Sequence, residues 1–171
     1  GMADVLETYS LSYDLNGGKG TAPKGESNIE KNQSITLTQE RDFTRGDKEL
    51  FVGWSRTKCE NAFTAGQEND IQKILITGTQ ITLETENIIL YAVWAEDRNG
   101  NGTADYTETV KVLYDGNGKK GGTVSGIPID NGVHIPEDKV TLSEDVPTYS
   151  EADDKQVVFL GWTAQATDQI Y

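Results

Sequence analysis

Alternation of apolar and polar residues marks the strands of this chain. Tyr9-Ser-Leu-Ser-Tyr-Asp-Leu15 places Tyr9, Leu11, Tyr13 and Leu15 on one face, the period of a half-buried strand. Asn16-Gly-Gly-Lys-Gly20 ends it with turn residues, and 21–31, polar with one proline, reads as loop. Ser34–Thr38 alternates again, with Ile35 and Leu37 inward; 39–47 returns to loop, and Glu49–Ser55 is a third strand. Within 56–78 the pattern weakens. Apolar positions 71, 74 and 75 have helical spacing and predict one helical turn over 70–76. Gln80–Glu84 and Asn87–Trp94 predict two more strands. The second is nearly continuous in apolar residues, which places it centrally in a sheet.

After residue 108 the pattern restarts. Val110–Gly118 parallels Tyr9–Gly17, with Tyr114-Asp115 matching Tyr13-Asp14. Val140-Thr-Leu142 parallels Ile35-Thr-Leu37, and Val158–Thr163 parallels Leu50–Ser55. The period of roughly a hundred residues exceeds solenoid repeats, so the copies are separate beads. The chain divides into a lead-in (1–8), a first module (9–95), a linker (96–108) and a second module (109–171). The second copy reaches Tyr171 before any equivalent of Leu90–Trp94, so it is either trimmed or degenerate. A trimmed copy would leave a sheet edge open, and a dimer formed through that edge would reflect the trimming. The chain is otherwise expected to be a monomer.

Tyr13–Gly18, Phe51-Val-Gly-Trp54 and Leu90–Trp94, in that order, resemble the Listeria–Bacteroides repeat, a bacterial surface module of the kind found as the B repeat of internalin B. The resemblance covers 9–95 and part of 109–171, where Tyr114–Gly118 and Phe159–Trp162 are present. The first copy departs from it in a long 56–78 stretch. The resemblance implies a mainly β fold (α+β at most) of two tandem β-grasp-like small sheet modules, the second incomplete. It also implies tandem use on secreted or surface proteins and no enzymatic activity.

The formal net charge of -13 argues against nucleic acid and against a basic patch docking on anionic lipid. No apolar run approaches a membrane span, so direct insertion is not expected. Cys59 is the lone cysteine, which excludes an intrachain disulfide and a cysteine cluster for zinc. One thiol fits the cytosol or the surface of an anaerobe. Gly1-Met2 reads as a cloning remnant, so the lack of a leader at the start carries no weight.

Acid is densest in the linker, where oxygen-bearing side chains fall at ligand spacing. From Asp97 as position one, Asp97, Asn99, Asn101, Asp105 and Glu108 occupy positions one, three, five, nine and twelve, with Gly102 at six. Thr103 would add its carbonyl at seven. This is the register of an EF-hand-type calcium loop. Strands flank it instead of helices, so it is closer to the loops of dockerins or thrombospondin type 3 repeats. A groove-opening switch is therefore not expected. Asn at two positions lowers the charge and predicts weak, extracellular-range affinity. The alternative is a flexible Asp/Asn/Gly turn; the complete register favours calcium. A bound ion would stiffen the joint and fix the angle between modules.

No catalytic set assembles: His134 lies in a Gly-Val-His-Ile-Pro turn, and Cys59 has no activating neighbour in sequence. Trp54 and Trp162, each after a glycine, read as core aromatics, with a sugar-stacking platform as the alternative. The expected role is a non-enzymatic spacer, stalk or adhesion segment of a bacterial cell-surface or secreted protein, with a host or cell-envelope protein or glycan as partner. The alternative is a carbohydrate- or glycoprotein-binding module.

Overall fold

The computed structural model describes residues 6–67, 74–118, 122–150 and 156–164. The fold is mainly β, and among the described residues the only helical element is a 3-10 turn, Asp105–Thr107. Contacts divide the chain into unit 1 (Gly1–Thr109) and unit 2 (Val110–Tyr171). The 96–108 stretch, expected as a linker between modules, falls within unit 1.

Unit 1 holds β1 (Thr8–Asp14), β2 (Lys19–Gly20), β3 (Glu26–Glu30), β4 (Ser34–Thr36), β5 (Phe43–Thr44), β6 (Glu49–Ser55), β7 (Gln80–Thr82) and β8 (Ile88–Glu96). Its main sheet has the order β3-β1-β8-β6, so the strand read as central from its apolar run is central. β8 runs parallel to β1 (Leu11 beside Ile88, Tyr13 beside Leu90) and antiparallel to β6 (Trp54 beside Ala92, Phe51 beside Trp94). Two small ribbons, β2–β5 and β4–β7, bring Phe43, Ile35 and Ile81 over one face. There they meet Leu11, Trp54, Leu90, Ala92 and Trp94 in a single core.

The Phe51-Val-Gly-Trp54 motif has a specific physical job. In a regular strand, residues three apart point to opposite faces. Here the register shifts between Phe51 and Gly53, and this bulge turns Phe51 and Trp54 to the same side, their rings 4.9 Å apart. Gly53 carries the bulge at φ +153°, with no room for a side chain: a Cβ would lie 2.8 Å from the Leu75 carbonyl oxygen. Val52 is sent to the opposite face, where it packs with Phe63, Ala95, Ala104 and Tyr106.

Two stretches expected as loop contain strands. β3 pairs with β1 as an edge, and its only apolar residue, Ile29, gives no alternation to read. β5 is two residues long and held by β2. Of the predicted helical turn over 70–76, residues 70–73 lie outside the described residues, while Leu75 is extended and bridges Trp54.

Unit 2 departs further from expectation. Strands were expected at 109–114, 140–142 and 158–163. Among the described residues its pairing consists of the ribbon β9 (Thr123–Ser125) with β10 (Thr148–Ser150) and a bridge from Val110 to His134. Among the described residues of unit 2, none pairs with the segments 110–118 and 157–163 as β8 pairs with β1 and β6.

The local geometry of the repeat survives nonetheless. Tyr13 and Trp54 rings lie 4.7 Å apart, and Tyr114 and Trp162 4.8 Å. Phe51–Trp54 and Phe159–Trp162 are both at 4.9 Å. The Thr38 N–H donates to the Tyr13 hydroxyl, and the Ser143 N–H to the Tyr114 hydroxyl. Asn16 and Asn117 share a left-handed φ (49° and 47°), and each donates its N–H at 2.7 Å to the aspartate two residues before it. Gly161 repeats the positive φ of Gly53 at +144°. The chain contains one motif framework twice.

Candidate metal centre

The 97–108 loop leaves β8 without a break. The Asp97 N–H donates to the Lys48 carbonyl at 2.9 Å, extending the β6–β8 pairing by one residue, and Lys48 Nζ donates to the Arg98 carbonyl. Beyond the turn, Ala104 and Tyr106 fold back onto Ala95, Val52 and Phe63, with the Phe63 and Tyr106 rings 6.2 Å apart. Phe63 is itself fixed beside β8: its N–H donates to the Trp94 carbonyl, and its carbonyl accepts from the Glu96 N–H, both at 2.8 Å. The loop is thus anchored at both ends by the central strand and by an apolar plug. Burial also raises the Tyr106 pKa.

Asp97 is buried, and its two oxygens accept the Asn101 and Gly102 N–H groups, each at 3.0 Å. Asn99 Oδ1 accepts the Asn101 N–H at 3.1 Å, and Asn101 Oδ1 accepts the Thr103 N–H at 2.7 Å. Their amide Nδ2 atoms donate to the two oxygens of Glu108, at 3.0 and 2.8 Å. Gly100 and Gly102 have φ of +74° and +83°, and a Cβ on either would meet nothing within 4 Å. Glycine is required there by conformation and not by crowding.

The structure therefore gathers Asp97, Asn99, Asn101 and Glu108, with Thr103 held through its N–H. Asp105 is turned elsewhere. It is fully buried, and its oxygens accept the Arg98 N–H at 3.0 Å and Arg98 Nε at 2.7 Å. Adjacent charges in sequence gave no sign of that pair, nor of Tyr106 as the plug. Among the described residues no three His, Cys, Asp or Glu side chains group to hold an ion, because half of the gathered set is amide.

Chemically the set is all-oxygen and suits a hard cation. The oxygens of Asp97, Asn99 and Asn101 that accept backbone N–H groups each keep a second lone pair. The carboxylate of Glu108 accepts the two amides, which an ion would have to displace.

The remaining candidates behave as structural residues. Trp54 is fully buried, so it offers no stacking face. His134 pairs with Asp130 at 2.9 Å, and Cys59 Sγ lies 3.7 Å from the Thr57 carbonyl. No family model, curated protein or solved structure matches the chain.

Proposed function

We propose that the chain is a non-enzymatic repeat segment of a bacterial cell-surface or secreted protein, acting as a spacer, stalk or adhesion element. The observation that carries this reading is the duplication, in two units, of one framework of paired Tyr and Trp rings with a positive-φ glycine before the tryptophan. A repeated scaffold built on packed aromatics suits a mechanical or presenting role. The burial of Trp54 weighs against the alternative of a sugar-stacking module.

In this reading the 97–108 loop takes up calcium through Asp97, Asn99, Asn101, the Thr103 carbonyl and Glu108, and stiffens the chain as it leaves β8. Asp105 contributes by fixing Arg98. The test is a thermal melt of the whole chain with calcium and with chelator, alongside titration calorimetry, on the parent and on Glu108→Gln. Ligand at a hundred times its Kd should stabilise unit 1 by about 2.7 kcal/mol. The shift should disappear in Glu108→Gln. An unchanged midpoint together with no heat of binding refutes calcium uptake and leaves the repeat reading standing.

A further inference from the structure

Two stretches of unit 1 carry the Asn-X-Ser/Thr spacing of an acceptor for N-linked oligosaccharide, Asn32-Gln-Ser34 and Asn101-Gly-Thr103. Transfer needs an exposed asparagine whose amide can turn out of conjugation, because its nitrogen lone pair is otherwise delocalised into the carbonyl. It also needs the hydroxyl two residues on to be within reach. The structure separates the two stretches on these grounds.

Asn101 is tied at both ends of its amide. Its Nδ2 donates to Glu108 at 2.8 Å and its Oδ1 accepts the Thr103 N–H at 2.7 Å, while its own N–H is held by Asp97 and Asn99. Asn32 stands exposed on the turn between β3 and β4, and among the described residues its side-chain amide makes no hydrogen bond. The backbone beneath it is fixed. The Asn32 N–H donates to the Leu83 carbonyl at 2.8 Å, the Gln33 N–H to the Glu30 carbonyl at 3.0 Å, and the Glu30 N–H to Gln33 Oε1 at 3.0 Å. The turn thus presents the amide on a firm support without engaging it. Ser34 is the first residue of β4 and its hydroxyl meets that of Thr82 at 3.1 Å, so fraying of one ribbon residue frees it. The bacterial form of the signal adds an acid two residues before the asparagine. Glu30, exposed, holds that place before Asn32, whereas Asn99 holds it before Asn101.

Conformation alone does not call for asparagine at this turn. Asn32 has a left-handed φ of +66°, and unit 2 repeats the turn with Glu137 in its place at +73°. There the Asp138 N–H donates to the Ile135 carbonyl at 3.2 Å and the Ile135 N–H to Asp138 Oδ2 at 2.9 Å, the same two bonds that join Gln33 and Glu30. Unit 2 therefore carries the turn without the acceptor.

We propose that Asn32 is an acceptor for an oligosaccharide carried on a polyprenyl diphosphate. Nδ2 bonds to the anomeric carbon, the bond from that carbon to the diphosphate oxygen breaks, and the diphosphate leaves with the electron pair. One amide proton passes to a carboxylate of the transferase. Such transfer takes place outside the cytoplasm, so the site rests on the reading of the chain as a surface or secreted protein. β3 is an edge of the main sheet, and a glycan at its end would hinder edge-to-edge pairing with another chain.

The test incubates the folded full chain with a purified bacterial oligosaccharyltransferase, its divalent metal and a polyprenyl-diphosphate-linked oligosaccharide, and reads the intact mass and the modified peptide. One oligosaccharide is expected, on Asn32, with Asn101 and unit 2 unmodified. Asn32→Asp keeps a residue that tolerates the left-handed turn and should abolish transfer. Ser34→Ala and Glu30→Gln should each lower the initial rate about tenfold or more. Transfer confined to the urea-unfolded chain, modification of Asn101 in the folded chain, or indifference to both Ser34→Ala and Glu30→Gln would overturn the proposal. Export plays no part in this reaction, so its failure strikes the acceptor site and leaves the surface reading standing. Recovery of the native protein in the cytosol would strike the surface reading while transfer to Asn32 stood.

Discussion

Alanine at Gly53 and alanine at Gly161 should have different consequences, and the difference can be worked from the structure. Both glycines sit at positive φ, +153° and +144°, where an L side chain costs about 1–3 kcal/mol in backbone strain. Only Gly53 is also crowded: its Cβ would lie 2.5 Å from Ile74 Cγ2 and 2.8 Å from the Leu75 carbonyl oxygen. The isoleucine can rotate away, but the carbonyl cannot. It accepts the Trp54 N–H at 2.9 Å, and the Leu75 N–H returns a bond to the Trp54 carbonyl at 2.6 Å. Relieving the overlap adds about 1–3 kcal/mol, the usual cost of overpacking. Gly53→Ala should thus destabilise unit 1 by about 2–6 kcal/mol, and Gly161→Ala should destabilise unit 2 by about 1–3 kcal/mol. The assay is urea denaturation followed at the three tryptophan indole N–H resonances, Trp54 and Trp94 for unit 1 and Trp162 for unit 2. At a slope of about 1–3 kcal/mol per molar urea, the unit 1 midpoint should fall by about 0.7 molar or more in Gly53→Ala while the Trp162 signal holds. Equal losses at the two sites, or a near-neutral Gly53→Ala, would refute the claim that the Leu75 segment closes over the bulge in one unit alone.

Three further outcomes are expected. Tyr106→Ala removes the plug over Phe63 and Val52 and should cost about 2–4 kcal/mol, with hydrogen exchange at 98–108 rising ahead of the rest of unit 1. Burial raises the Tyr13 pKa above its ordinary value of 10.0, so the unfolded chain ionises first. Stability present below pH 10 is then lost as pH rises through the folded value, and Tyr13→Phe should flatten that alkaline limb of a stability–pH curve. Tyr91→Pro breaks the strand at the residue paired with both Asp14 and Ser55. It should cost about 3 kcal/mol or more and shift the Trp54 and Trp94 indole signals while sparing Trp162.

The strands legible in the sequence are those with a full apolar face. Tyr9–Leu15 alternates cleanly, and the unbroken run of Asn87–Trp94 announced a strand flanked on both sides. β3 was illegible because a strand with one inward residue has no period to detect. The bulge was legible in principle: Phe51 and Trp54, three apart and both large, cannot share a face of a regular strand. In unit 2 the same local grammar misled. Val110–Tyr114 and Val158–Thr163 have strand composition, but a strand needs a neighbour, and alternation says nothing about whether one exists. In the loop, ligand spacing singled out Asp97, Asn99, Asn101 and Glu108, and hydrogen bonds gather the four around one turn. The engagement of Asp105 by Arg98 depends on three-dimensional direction, which spacing does not carry. Tyr106 was a usable clue, since a large aromatic in a polar loop calls for a surface to cover.

The central strand ties the fold to the candidate metal loop. Because Asp97 continues the β8 ladder and Tyr106 is packed beneath Ala95, the loop is held in shape by protein contacts alone. The carboxylate of Asp97 is satisfied by backbone N–H groups, and that of Glu108 by two amides. A cation would not have to organise a disordered segment, which spares ordering entropy. It would have to displace the Asn99 and Asn101 amides from Glu108, exchanging two charge-assisted hydrogen bonds for coordination. The positive charge of Arg98, fixed against Asp105 2.7 Å away, further opposes a dication. These terms point the same way as the low ligand charge: the calcium uptake proposed for this loop would be weak and suited to a calcium-rich medium, with a mechanical effect local to the loop. The rigidity of unit 1 at its end comes chiefly from β8.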